Sequence, residues 1–204
     1  MSILYIFCLT AIISFAGSIH IGPVNLMVIR TSLDRDLKSA LLVSLGGSLP
    51  ELLYASIAII GVSFLNQHPQ LITTLNYLVI PVFLILGIYY ISQKKKNKIY
   101  NEEKSVKSFS KGLLLATLNP QLLPFWFGIL IYINSLVIIN QPGEQFAFVI
   151  GTAFGAFVLL CIYAFIAYRK RELINSYISK FNYDKIIGWS FLALSGIKVI
   201  SFIY

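Results

Sequence analysis

Within otherwise apolar runs stand a few side chains able to take up a proton or hold a polar solute: His20, Asn25, Glu51, Asn119, Gln121 and Lys198. Glu51 is the most informative. It follows Lys38 by thirteen residues, roughly 20 Å of helix at about 1.5 Å per residue. An ionised carboxylate at that depth in lipid costs about 2.5–3.5 kcal/mol even on the lenient insertion scale. Glu51 must therefore face the interior of a bundle, carry a proton, or have a partner, and a carboxyl so placed is suited to proton exchange. His20 could join such a relay, since imidazole titrates near neutral pH; a hydrogen-bonded packing role is equally open. Lys198 lies thirteen residues beyond Lys185, which gives it the same reckoned depth. Both an ion pair with Glu51 and outward snorkelling of its long stem are open. Asn25, Asn119 and Gln121 each carry donors and acceptors, suited to an amino-acid backbone or an amide, and equally able to satisfy an opened helix.

Two proline breaks would position these groups. His20-Ile21-Gly22-Pro23-Val24-Asn25 interrupts one apolar run, and Asn119-Pro120-Gln121, with Pro124 a turn on, interrupts another. Proline removes a backbone donor and frees the carbonyl a turn earlier. In lipid such groups are tolerated only against protein or a wet cavity. Pro23 precedes Arg30 by seven residues, and Pro120 follows Lys111 by nine. That is roughly 10 and 13 Å from the same basic face, so both breaks fall towards the middle of a ~30 Å hydrocarbon core. Gly22, Pro23, Asn25, Asn119, Pro120 and Gln121, with His20, are therefore expected to border a shared polar pocket that binds substrate. Glu51 and Lys198 are the candidates for proton coupling. Pro50, Pro81 and Pro124 are read as bends only.

The elements that must carry these residues are membrane helices. Of 204 residues, 57% are hydrophobic and 12% charged, and the mean hydropathy is +0.80. A soluble chain of this length buries only about 70% of its unfolded area, too little to hide so much apolar surface. Soluble-enzyme and DNA-binding readings are excluded on that ground, and the net charge of +8 is read as topological rather than as a nucleic-acid footprint. Six windows reach the ~20 apolar residues a spanning helix needs: 3–29, 38–62, 71–92, 109–134, 145–168 and 186–204. Fifteen of the 16 Lys and Arg residues fall on one side of these windows, Lys198 being the exception. The positive-inside rule puts that side in the cytoplasm and both termini outside. The start lacks a basic leader, so the first run is expected to be a retained span, although Ala16-Gly17-Ser18 mimics a cleavage site.

The expected fold is thus all-α, with six transmembrane helices in two three-helix blocks. The first covers 1–92, a basic cytoplasmic linker covers 93–108, and the second block covers 109–204. An odd number of spans per block means that related blocks are inverted, an arrangement known from transporters with midplane sites. Gly46-Gly47, with Ser44 and Ser48, and Gly151-xxx-Gly155 are expected to allow close helix approach. Trp126, Trp189, Tyr89, Tyr90, Tyr168 and Tyr204 are read as interfacial anchors. The Lys94–Lys111 stretch is read as a topology determinant, with contact to anionic lipid ranked second. No Gly-rich phosphate loop, His-Glu-xx-His or Cys-x-x-Cys is present, so no catalytic residue, metal or cofactor is expected.

Four segments resemble the LysE/RhtB family of amino-acid exporters. Ile21-Gly22-Pro23-Val24-Asn25 is similar to its Pro-Gly-Pro-x-Asn segment. Ser48-Leu49-Pro50-Glu51-Leu52-Leu53-Tyr54 is similar to its second-span segment, in which an acid precedes an aromatic. Lys111-Gly112 through Asn119-Pro120-Gln121 is similar to its fourth-span Asn-Pro-Lys signature, and Gly188 through Lys198 to its Gly-rich last helix. The resemblance implies proton-driven export of amino acids or related small metabolites across a bacterial cytoplasmic membrane by a multi-pass protein. Its partners would be the solute and the lipid bilayer, with no nucleic acid and with a homo-oligomer left open. Some relatives export cations. Ile21, Glu51 and Gln121 depart from the family's Pro, Asp and Lys, and bear on which solute is carried. The rivals are a thiol-disulfide electron carrier, which Cys8 and Cys161 fit poorly because they lie away from both breaks, and a passive channel or scaffold.

Overall fold

The computed structural model describes residues 3–19, 22–67, 69–92, 105–119, 121–136, 139–172 and 183–203. Among these every regular element is an α-helix: α1 (Ile3–Gly17), α2 (Pro23–Asp34), α3 (Leu37–Gln67), α4 (Pro69–Ser92), α5 (Ser105–Thr117), α6 (Leu122–Leu136), α7 (Pro142–Arg169) and α8 (Tyr183–Ile203). The helices fall in the six apolar windows, with the first and fourth windows each split in two. By length and apolarity, Leu37–Gly61 and Pro142–Arg169 can each cross a membrane, and Lys107–Thr117 with Leu122–Asn134 adds a third crossing if this pair, bent by 63°, is one span. Helix α5 begins at Ser105, ahead of its apolar window. Tyr204 and the whole of the stretch 94–104 lie outside the described residues.

The prolines act according to their position. Pro50 and Pro81 sit inside α3 and α4, which continue through them. Pro23 opens α2 and Pro142 opens α7, where the missing N–H would have had no intrahelical partner anyway. Pro124 stands in the first turn of α6, for the same reason at little cost. At the start of α3, Asp36 accepts the Ser39 backbone N–H at 2.7 Å and the Ser39 hydroxyl at 2.9 Å. Slight burial opposes ionisation of this carboxyl, but the Ser39 hydrogen bonds and the neighbouring Arg35 charge overcome it, so Asp36 lies below its ordinary value. A depressed carboxyl stabilises the fold above its unfolded pKa, and that contribution disappears as pH falls through the folded value. Asp36→Ala should cost about 1 kcal/mol at neutral pH. Asp36→Asn, which caps comparably, should cost little. Unfolding in detergent followed downward from pH 7 checks both, since the Asp–Asn difference should shrink as pH falls below the ordinary carboxylate value towards the lowered one.

The two halves interlock rather than stand apart. Helix α1 packs on α7, α3 on α5 and α4 on α8, while α3 and α7 meet at the centre. Small residues make the close approaches. A methyl group at Gly46 would collide with the Phe109 carbonyl oxygen, one at Gly112 with that of Val43, and one at Gly155 with that of Ala11. Gly87 and Gly188 face each other across α4 and α8. Because the obstacle at Gly155 is backbone, Gly155→Ala should destabilise the protein by about 1–3 kcal/mol, read as a lower unfolding midpoint in detergent.

Many of these contacts come in matched pairs. The Tyr54 hydroxyl on α3 donates to the Thr117 carbonyl at the end of α5 (2.6 Å), and the Tyr163 hydroxyl on α7 donates to the Ile19 carbonyl just past α1 (2.8 Å). Ser14 on α1 donates to the Thr152 carbonyl on α7, and Gly112 on α5 abuts the Val43 carbonyl on α3. One constant shift in residue number carries α1 onto α5 and another carries α3 onto α7, and together they convert each contact into its counterpart.

Candidate functional site

Both helix breaks open onto one cavity of about 110 Å³. Its walls come from the end of α1 (Ser14, Gly17, Ser18), the start of α2 (Gly22, Pro23, Val24, Asn25) and the middle of α3 (Gly47, Glu51). The second break adds Ala116, Asn119, Gln121, Leu122 and Phe125, and Phe83, Ala156 and Leu160 complete the lining. The structure thus brings Gly22, Pro23, Asn25, Glu51, Asn119 and Gln121 around a single space. His20 and Pro120 lie outside the described residues, as does the side chain of Lys198. The helix carrying Lys198, α8, packs on α4 and α2.

Glu51 is 6% exposed and is the only ionisable side chain among the described residues lining the cavity. Its Oε2 accepts a hydrogen bond from the indole Nε1–H of Trp126. Trp126 corrects one expectation. It is no interfacial anchor but is fully buried on α6, edge-on between Phe125, at 4.9 Å between ring centroids, and Phe148, at 5.7 Å. A buried indole N–H needs an acceptor and a buried carboxylate needs a donor, so each satisfies the other. Trp189, Tyr89 and Tyr168, in contrast, are exposed, as anchors require.

Most polar groups at the breaks serve the opened backbone. Asn25, 6% exposed, donates through Nδ2 to the Ser18 carbonyl at 2.9 Å, tying the first turn of α2 to the end of α1. Asn119 Oδ1 accepts the Gln121 backbone N–H at 3.1 Å, which closes the turn into α6. Tyr54 and Tyr163 take up the freed carbonyls of Thr117 and Ile19. Ser14, Phe125 and Tyr163 were not singled out from the sequence, and Ser18 and Tyr54 were named there only as part of a cleavage-site mimic and of a family segment. A free carbonyl near each break, which must find a donor in lipid, is the signal that could have found the tyrosines.

The chemistry on offer is a pair of opposite charge preferences. The start of α2 has an extended Gly22 at its N-cap with no side-chain cap, so its first-turn N–H groups and helix dipole favour an anionic group. The Glu51 carboxylate favours a cation or a proton. A small zwitterion presents both. Cys8, exposed, and Cys161, half-buried, are free thiols, and neither lines the cavity. Among the described residues no group of three or more His, Cys, Asp or Glu could hold a metal ion.

The family described as LysE type translocator matches residues 15–201 of this chain. No curated protein and no solved structure matches.

Proposed function

We propose a transport cycle from one premise: the chain belongs to the LysE type translocator family, a family of membrane transporters for small molecules. In this reading it exports amino acids or related small metabolites from the cytoplasm in exchange for protons. It is a transporter rather than an enzyme, set in a bacterial cytoplasmic membrane. Six spans form a 3+3 inverted repeat with both termini outside, and α1–α2 and α5–α6 are its two broken spans. The matched contacts Tyr54–Thr117 and Tyr163–Ile19 support the repeat, and the one-sided placement of Lys and Arg supports the orientation.

The observation that carries the reading is Glu51, the one carboxyl among the described residues of a cavity where two broken helices meet. The start of α2, with Gly22, Pro23 and Asn25, receives the solute's carboxylate. Asn119 and Gln121 border it from the other break, with Pro120 a further candidate from the sequence, and Glu51 takes the ammonium group. A proton arriving at Glu51 neutralises the carboxylate and releases the solute, which is how one residue can couple the two flows. His20 and Lys198 are the further candidates for this proton path.

Purified protein in liposomes tests this directly. With an imposed pH gradient, radiolabelled amino acids should move uphill, and dissipating the gradient with a protonophore should stop them. A panel with amines and inorganic cations identifies the solute class. Solute flux that only follows its own concentration gradient, whatever the pH, would mark a passive pore instead.

A further inference from the structure

At the cavity the matched places differ in chemistry. The shifts that carry Tyr54 to Tyr163 and Thr117 to Ile19 also carry Glu51 to Leu160 and Trp126 to Val28. All four residues are buried, and Glu51 and Leu160 both line the cavity. Yet one pair is a carboxyl hydrogen-bonded to an indole, and the other consists of two aliphatic side chains in a cluster with Ala40, Val43 and Ala164. By residue count the two pairs also differ in depth from the basic face. Val28 is two residues from Arg30 and Leu160 nine from Arg169, towards the basic face, whereas Glu51 is thirteen from Lys38, roughly 20 Å into the helix.

We infer that Glu51–Trp126 and Val28–Leu160 are the outer and inner closures of the cavity, and that Trp126 is the positioning residue that makes only the outer closure respond to protons. The inference rests on the transport reading above and assigns its proton step to one side of the membrane. An aliphatic pair has nothing to titrate. An indole is a donor only, and its bond to a carboxylate is charge-assisted, roughly twice as strong as a neutral one. Protonation of Glu51 therefore weakens the tie that holds Trp126, and with it the start of α6. Phe125 carries the change onward. It stacks edge-on against Trp126, lines the cavity, and lies so close to Gly17 that a methyl group there would stand 2.7 Å from its ring. A proton from outside thus loosens the α6 wall and frees its path to α1 in the same step that displaces the solute from Glu51.

The cavity faces of α1, α2, α4, α5, α6 and α7 carry no ionisable side chain among the described residues. Tyr54, a turn beyond Glu51 on α3, is engaged with Thr117. His20 lies outside the described residues, so it enters the test as a control.

Trp189→Phe leaves Trp126 as the sole tryptophan, since the chain has two, and Trp189 is 62% exposed, away from the cavity. In this protein the Nε1–H resonance of Trp126, read by ¹⁵N-labelled indole NMR, and its fluorescence are followed from about pH 4 to pH 9. The expected result is one titration step in both signals, with the indole proton moving upfield on acidification. The step should be lost in Glu51→Gln and kept in His20→Gln. A flat profile in the Trp189→Phe protein overturns the inference without reference to any Glu51 variant, and so does a step that survives Glu51→Gln. Failure here is separable from failure of the transport reading: pH-driven efflux with a non-titrating indole retains the exporter and removes the Trp126 link.

Discussion

Glu51→Gln is expected to abolish pH-driven efflux in liposomes while leaving the helical fold intact. Glutamine has nearly the same volume and keeps an oxygen that can accept the Trp126 indole N–H, so the buried donor is not orphaned. What disappears is the charge, and with it both the proton site and the partner for a solute ammonium. Truncating one member of a buried charge pair costs about 2–5 kcal/mol, so coupled transport should fall by about 100-fold or more. Solute-stabilised unfolding in detergent should show correspondingly weak binding, while the far-UV circular dichroism stays unchanged. Efflux that still follows the pH gradient in this variant would remove Glu51 from the mechanism and turn attention to His20.

Asn25→Ala has the second largest expected effect, and it acts on both stability and transport. The Asn25 amide bridges the first break to Ser18, and the residue is 6% exposed at the cavity wall. Removing it takes the donor from the Ser18 carbonyl, part-buried at the cavity wall, at a cost of about 1–3 kcal/mol. Transport should fall by about 10-fold or more, because the start of α2 no longer holds its first-turn N–H groups towards the solute. Alanine favours helix, so the loss cannot be assigned to weaker α2 propensity. Initial efflux rates and the unfolding midpoint in the same detergent preparation check the two effects, and a variant normal in both would show that the Asn25–Ser18 bond has no part in the site.

The six apolar windows became helices because a buried backbone must bond internally, and a helix is the only element that does so within one segment. The two breaks were legible for a related reason: Gly22-Pro23 and Asn119-Pro120 remove donors where no water replaces them. The depth of Glu51 pointed to an interior position. Trp126 was misread because its type suggested an interface, although its own spacing from Lys111 set it at a depth close to that of Glu51. Two buried groups at one depth, one a donor only and one an acceptor, could have been paired from that arithmetic. Tyr54 and Tyr163 offered less to read, since their acceptors are backbone carbonyls that a residue list does not display.

Taken alone, the sequence determined that this chain is helical and apolar enough for lipid, where its helices break, and which carboxyl needs a reason to be buried. Each follows from local chemistry: transfer of side chains and backbone from water to hydrocarbon depends on composition and spacing along one strand of chain. Only the tertiary structure decided that both breaks share a cavity, that Trp126 donates to Glu51, and that the matching place in the other half is filled by the aliphatic side chains of Val28 and Leu160 in one buried cluster. Those facts depend on which helix faces which, and small residues such as Gly46, Gly112 and Gly155 set that by letting backbones touch in only a few registers.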